Sequence, residues 1–110
     1  MHLKLIVMTI RSDLSDEMIA AVKKAGATGA TIIPARGVGV HSSKTFFGMT
    51  MDIQRDVIFL LVDDHLIKPI LKTIKKKGSF HQPGTGIAFV MDVEKAIGLE
   101  SQFHDFIDEV

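Results

Sequence analysis

The residues with the clearest chemical potential in this chain are glycines placed beside apolar runs. Residues 37–39 (GVG) directly follow one such run, and residues 83–86 (PGTG) directly precede another. Glycine permits positive φ and close backbone approach, so successive N–H groups can point at a phosphate. Neither motif has the Rossmann or Walker A spacing, and a simple turn is the more frequent meaning of each alone. Two of them beside one sheet indicate an anion site more strongly.

Other catalytic or metal-binding patterns are weak. The chain has no cysteine, which excludes thiolate metal sites and cysteine nucleophiles. No two of its histidines are spaced as a metal-binding pair, and no HExxH motif occurs. The histidines are His2, His41, His65, His81 and His104. Only His41 and His81 keep some interest, because both fall in predicted loops.

Composition limits the class of protein. The chain has 110 residues, 46% hydrophobic and 24% charged, which is typical of one globular domain. Thirteen basic residues balance thirteen acidic ones, so a nucleic-acid partner is disfavoured. The longest apolar stretch, Val57 to Val62, is too short to span a membrane, and no signal peptide is apparent. We therefore expect a cytoplasmic protein that is not membrane-embedded.

The hydrophobic pattern predicts two strand–helix–strand units. The first helix is expected to begin at Ser12 or Asp13 and to end at Gly26, and the second to end at Gly78. Pro69 implies that the second helix either starts late, with the proline near its first position, or is kinked. Strands are predicted at 3–10, 30–34, 57–62 and 87–91, a short helical turn at 92–98, and an amphipathic helix at 99–110.

The connection between the second and third predicted strands, residues 36–55, is unusually long. Connections longer than about 12–15 residues are usually functional or disordered. Phe46, Phe47, Met49 and Met51 make this one too apolar for a disordered linker. We therefore expect a functional loop.

This order of elements predicts an α+β, ferredoxin-like βαββαβ sandwich, with an antiparallel four-stranded sheet and both helices on one face. The strands are apolar on both alternating faces, so one face would be left open. Burial in a symmetric oligomer is the simplest way to cover it. The terminal helix, with Phe103, Phe106, Ile107 and Val110 on one side, is the other candidate cover.

From Leu3 to Leu99 the chain resembles the PII signal-transduction family (nitrogen regulatory protein P-II). Residues 25–31 (AGATGAT) resemble the family's helix-to-strand turn, and 36–39 (RGVG) resemble the entry to its T-loop. Residues 84–90 (GTGIAFV) with 92–97 (DVEKAI) resemble the B-loop and final strand. The resemblance implies a PII-like domain at 1–98 with a T-loop-like segment at 37–55.

The resemblance also implies a function. It implies a homotrimer that is not an enzyme and that binds an adenine nucleotide (ADP, AMP or ATP) between subunits without a required cofactor. The T-loop would regulate a partner, either a membrane transporter or an enzyme of nitrogen metabolism. The implied ligand-binding residues are Thr31, Gly37, Val38, Gly39, Gly84, Thr85 and Gly86, and Arg36 and Arg55 are added as candidate sources of positive charge. The candidate partner-binding residues are Lys44, Phe46, Phe47, Met49 and Met51. Aromatic and methionine side chains suit docking on a partner, and the alternative is that these four apolar residues fold back onto the trimer.

The chain departs from the family pattern at charged positions. Thr85 and Ile87 stand where the B-loop has aspartate and lysine, and Gly98 and Glu100 stand near the family's phosphate-binding arginines. The chain has no tyrosine, which excludes uridylylation. His41 replaces the glutamine used for magnesium and 2-oxoglutarate. Arg36, Lys44 or Arg55 is the candidate replacement for the missing positive charge.

Other uses of the fold remain alternatives at this point. A CutA-like trimer would bind a metal or small molecule through His41, His81 and carboxylates. An acylphosphatase is disfavoured because the chain contains no asparagine. An RNA-binding domain would need more aromatic residues on its strands than Phe59 and Phe89.

Overall fold

A four-stranded antiparallel sheet, in the order β2-β5-β1-β6, carries two helices on one face. The computed structural model describes residues 2–37, 44–46, 49–51, 53–81 and 85–99, and the side chains of 44–46, 49–51 and 53 are outside the description. The elements are β1 (Leu3–Arg11), α1 (Ser15–Lys24), β2 (Thr31–Gly37), β3 (Lys44–Phe46), β4 (Met49–Met51), β5 (Ile53–Asp63), α2 (Ile67–Gly78) and β6 (Gly86–Asp92). The predicted ferredoxin-like fold is confirmed.

The core lies between the helices and one face of the sheet. Alternate residues of β1 and β5 point to this face, and each helix adds residues spaced four apart. The fully buried side chains are Ile6, Met8, Ile10, Met18, Val22, Ile58, Leu60, Val62, Ile70 and Ile74. Full burial of one such side chain contributes about 1.5–3 kcal/mol, so this layer is the main source of stability.

The start of α1 differs from the prediction. Ser12 and Asp13 belong to a 3-10 turn (Ser12–Leu14), and no side chain caps the helix that follows. The hydroxyl of Ser15 instead donates to Asp56 Oδ2 at 2.5 Å, which fixes the first turn of α1 to β5. The predicted end is confirmed, because Gly26 follows the helix with φ of 124°.

The start of α2 explains how Pro69 is accommodated. Asp63 accepts a hydrogen bond from the His65 backbone N–H at 3.2 Å and opens a second 3-10 turn (Asp64–Leu66). Since α2 begins at Ile67, Pro69 lies in its first turn, where an N–H has no acceptor within the helix. The late start predicted for this helix is confirmed. The helix ends at Gly78, followed by Ser79 in the left-handed region with φ of 51°.

The strands next to the long connection extend further than predicted. β2 reaches Gly37 and β5 begins at Ile53, and within the connection β3 pairs with β4. The prediction was too narrow because the added residues are polar and carry no apolar pattern, for example Arg36 of the edge strand β2 and its partner Gln54 of β5. Pro34 lies in this edge strand. A proline is tolerated there because its nitrogen, which has no hydrogen to donate, can face solvent and not the neighbouring strand β5.

The end of the described chain also corrects the prediction. Residues 93–97 form no helix, so the helical turn predicted at 92–98 is wrong. This segment instead packs beside the start of β1, where Leu99 is buried against Leu3. Residues 100–110, where the amphipathic helix was predicted, are outside the described residues. Neither helix of the described part is long and apolar enough to cross a membrane.

The second face of the sheet carries apolar side chains without a covering layer among the described residues. Register places these side chains in lateral rows, for example Phe89–Val7–Phe59. The most exposed apolar side chains of this face are Ile33 (42%), Phe89 (45%), Met91 (51%) and Ile87 (60%). We call it the open face.

Candidate functional site

The side chain of Arg55 joins the base of the long loop to the second glycine motif. Arg55 lies on β5, directly between Ala35 of β2 and Arg11 of β1. Its Nη1 donates to the Thr85 carbonyl oxygen at 3.3 Å, immediately before β6. The side chain therefore crosses the end of β1, and only 7% of Arg55 is exposed.

Gly37 makes room for this crossing. A Cβ atom at Gly37 would lie 2.5 Å from Arg55 Cδ and 2.7 Å from Arg55 Nε, which is closer than atoms can pack. Packing against Arg55 therefore explains why residue 37, at the entrance of the loop, is a glycine. It lets the Arg55 side chain run against the backbone of β2.

Gly86 and Thr85 fix the second glycine motif to the body of the protein. A Cβ atom at Gly86 would lie 2.2 Å from the Thr9 carbonyl oxygen and 2.9 Å from the Phe80 ring. The Thr85 hydroxyl donates to the Ser79 carbonyl oxygen at 2.9 Å, which ties the motif to the end of α2. The glycine at 86 is therefore required by strand packing, whatever else it does.

Two arginines face each other at this end of the sheet. Arg11 and Arg55 are direct cross-strand partners, a placement that is destabilising for like charges unless other groups compensate. Arg11 Nη2 bonds to Asp13 Oδ2 at 2.8 Å and remains exposed at the surface. An anion bound here would be attracted by both guanidinium groups. Sequence reasoning did not assign Arg11 to the site, because its position depends on strand register.

The structure brings together four of the predicted ligand-binding residues, namely Gly37, Arg55, Thr85 and Gly86. Thr31 begins β2, six residues from Gly37, and is exposed. Arg36 lies opposite Gln54, so strand alternation points it to the other face of the sheet from Arg55. Val38, Gly39 and Gly84 are outside the described residues, and their role stays a prediction.

The predicted partner-binding residues lie in or beside the hairpin. Lys44 and Phe46 are the first and last residues of β3, and Met49 and Met51 are the first and last residues of β4. Phe47 is outside the described residues, as are the side chains of the other four. Their contact with a partner therefore stays a prediction.

The described residues offer little to a metal ion. They contain no cluster of three or more histidine, aspartate or glutamate side chains. His81 is exposed after α2, and His41 lies outside the description. Elsewhere, a hydrogen bond from the His65 ring to Asp63 lowers the pKa of that carboxyl below its usual range.

Comparison with known proteins decides the family. The sequence profile of the family described as nitrogen regulatory protein P-II matches residues 3–102. The chain belongs to the PII family. It is thus a PII-type regulatory protein.

Solved structures agree with this PII assignment. GlnK of B. subtilis is 19% identical with a TM-score of 0.71, covering 92% of this chain and 93% of that chain, and at this identity it supports the fold alone. A putative PII-like signaling protein from Thermus thermophilus is 28% identical with a TM-score of 0.63, covering 84% of this chain and 86% of that chain. No curated protein matches the sequence significantly.

Proposed function

We propose that this PII protein is a homotrimer that binds a phosphate-bearing small molecule, first of all an adenine nucleotide, in clefts between its subunits. Ligand occupancy then sets the conformation of the segment 37–55, which docks on a regulated transporter or enzyme. The ligand must bind one conformation of that segment better than another, since a ligand with equal affinity shifts no equilibrium.

The observation that carries the proposal is the Arg55–Thr85 hydrogen bond. It joins the strand that leaves segment 37–55 to the second glycine motif across the width of β1. A ligand bound at residues 83–86 can therefore affect the base of segment 37–55 through the buried side chain of Arg55. The same guanidinium supplies positive charge beside a motif that lacks the family's lysine.

The open face supports the oligomeric part of the proposal. Phe89, Met91 and Ile87 are each between 45% and 60% exposed along a single strand. Contiguous apolar surface of this kind marks an interaction site in soluble proteins. A closed symmetric assembly buries the same patch on every subunit without leaving an open end.

Charge-assisted hydrogen bonds give the expected size of the Arg55 contribution. A hydrogen bond to a charged group contributes about 1.5–3 kcal/mol, and replacing the arginine by methionine keeps most of its apolar stem. Loss of one such bond corresponds to an affinity about 10–100-fold weaker. Lys24→Met is the matched control, because it also exchanges a cation for methionine but on the exposed end of α1.

The test is isothermal titration of ATP, ADP and AMP into the protein and into the Arg55→Met and Lys24→Met variants. We expect measurable binding to the unmodified protein and to Lys24→Met, and about 10–100-fold weaker binding to Arg55→Met. The circular dichroism spectrum of Arg55→Met should be unchanged, which shows that the variant is folded. Absence of binding by all three nucleotides at millimolar concentration would refute the nucleotide assignment. Equal affinity of all three proteins would refute the role of Arg55, and a monomer by light scattering would refute the trimer.

A further inference from the structure

A groove between α2 and the edge strand β6 is an apolar concavity next to the site. We call it the β6 groove. Its volume is about 360 Å³, and its apolar lining includes Leu71, Ile74, Phe80 and Ala88. Apolar cavities of about 150 Å³ already bind benzene, so the β6 groove has room for an aromatic side chain.

The rim of the β6 groove is basic. Helix α2 carries five exposed lysines and no acidic residue, namely Lys68, Lys72, Lys75, Lys76 and Lys77. None of them takes part in the salt bridges found among the described residues. Lys75 lines the groove, and Lys68 and Lys72 follow on the same side at three- and four-residue spacing. Lys77 lies on the other side, towards α1.

Residues 100–110 are acidic and partly apolar, which complements the basic rim and apolar lining of the β6 groove. Segment 100–110 (ESQFHDFIDEV) holds four of the chain's 13 acidic residues and no lysine or arginine. Its apolar residues, Phe103, Phe106, Ile107 and Val110, recur at three- and four-residue spacing, which is the pattern of a segment with one apolar side. An acidic segment with two phenylalanines fits an apolar groove with a lysine rim.

The segment is long enough to reach the groove. The Val93 N–H donates to the Leu3 carbonyl oxygen at 3.2 Å, and Leu99 is buried beside Leu3, so the segment starts near the end of β6. Ile87, at the groove, lies six residues before Val93. The distance from Val93 to the groove is therefore about 20 Å at about 3.3 Å per residue. Eleven residues span about 36 Å when extended, which leaves length for a turn around the strand edge.

We propose that segment 100–110 docks in the β6 groove of its own chain. Phe103, Phe106 and Ile107 fill the groove, and Asp105, Asp108 and Glu109 lie against its lysines. The open face is the competing location for the same segment, and the test distinguishes the two. The proposal requires no nucleotide and stands independently of the proposed function.

The experiment uses a single tryptophan as a reporter, since the chain has no tryptophan or tyrosine. Phe106→Trp is the parent. Lys72→Glu with Lys75→Glu reverses the groove rim, and Lys76→Glu with Lys77→Glu is the control, with the same change of charge in the same helix. Each protein is measured at low salt by tryptophan emission and acrylamide quenching, with circular dichroism as the check of folding.

We expect blue-shifted, shielded emission in the parent and in the control. In the rim variant, the ratio of docked to undocked segment should fall about tenfold, which corresponds to about 1.4 kcal/mol, as two exposed ion pairs become like-charge contacts. Adding Asp105→Lys and Asp108→Lys to the rim variant should restore shielding. Solvent-like emission in the parent, or equal responses of the rim and control variants, would overturn the proposal. Shielding that neither charge reversal changes would also overturn it and would assign the segment to the open face.

Discussion

Replacing Gly86 by alanine should damage the fold itself rather than only a ligand site. The new Cβ atom would lie 2.2 Å from the carbonyl oxygen of Thr9, which belongs to the backbone of the central strand β1. A backbone atom within a hydrogen-bonded ladder cannot move aside as a side chain can. Gly86 pairs with Ile10 in register, so the first residues of β6 must separate from β1.

The size of the effect follows from this geometry. Overpacking that side-chain movement relieves costs about 1–3 kcal/mol. Separation of β6 adds lost ladder hydrogen bonds at about 1 kcal/mol each and disturbs the Phe80 ring 2.9 Å away. We therefore expect Gly86→Ala to lower the free energy of unfolding by at least about 3 kcal/mol, a large share of the about 5–15 kcal/mol typical of a domain.

Gly29→Ala is the matched control for this measurement. No described atom lies within 4 Å of its Cβ position, and its φ is not in the left-handed region. Alanine there should be neutral or stabilising by up to about 1 kcal/mol, because it restricts the unfolded chain. Urea unfolding followed by far-UV circular dichroism measures both variants at one protein concentration. A loss below about 1 kcal/mol for Gly86→Ala would show that β1 and β6 adjust, and would refute the packing argument.

Two further predictions concern the open face and pH. Phe89→Asp places a charge in the middle of the exposed apolar strand β6 and should convert the proposed trimer to monomers in light scattering, and an unchanged mass would place the interface elsewhere. Asp63→Asn keeps a cap acceptor for His65 but removes the charge. Because the pKa of Asp63 is lowered in the folded state, its stabilisation is fully present above about pH 4, the ordinary aspartate value, and is lost as pH falls through the lowered folded-state pKa. Urea unfolding should therefore show a gap of at most about 1 kcal/mol between parent and variant at about pH 6 that closes towards about pH 2, and a gap that persists at the lower pH would contradict this origin.

The elements could be predicted because local chemistry marks them. Apolar runs identify the buried strands, and Gly26 and the lysines before Gly78 identify the ends of the helices. The limits of β2 and β5 could not be predicted in the same way. Their outer parts pair through backbone hydrogen bonds at the edge of the sheet, and polar side chains such as Gln54 carry no apolar signal there. The start of α1 was missed because Ser15 bonds to Asp56, a residue 41 positions away.

The candidate site was predictable in its parts and not in its arrangement. Glycine spacing identified the two motifs, but Gly37 is explained by Arg55 and Gly86 by Thr9, contacts that only the fold creates. Arg11 carries no motif at all. It becomes part of the site because register sets it opposite Arg55. Strand register, which brings these residues together, has no short motif of its own in the sequence.

Pro34 has a consequence for how the protein can assemble. The two edges of the sheet are unequal, since β2 carries a proline in its middle and β6 carries none. A strand added to β2 would find no N–H donor at Pro34, which interrupts the ladder it needs. Growth from the β6 edge of one chain onto the β2 edge of the next would otherwise give an open-ended fibre. The proline therefore disfavours open-ended growth of the sheet from its β2 edge.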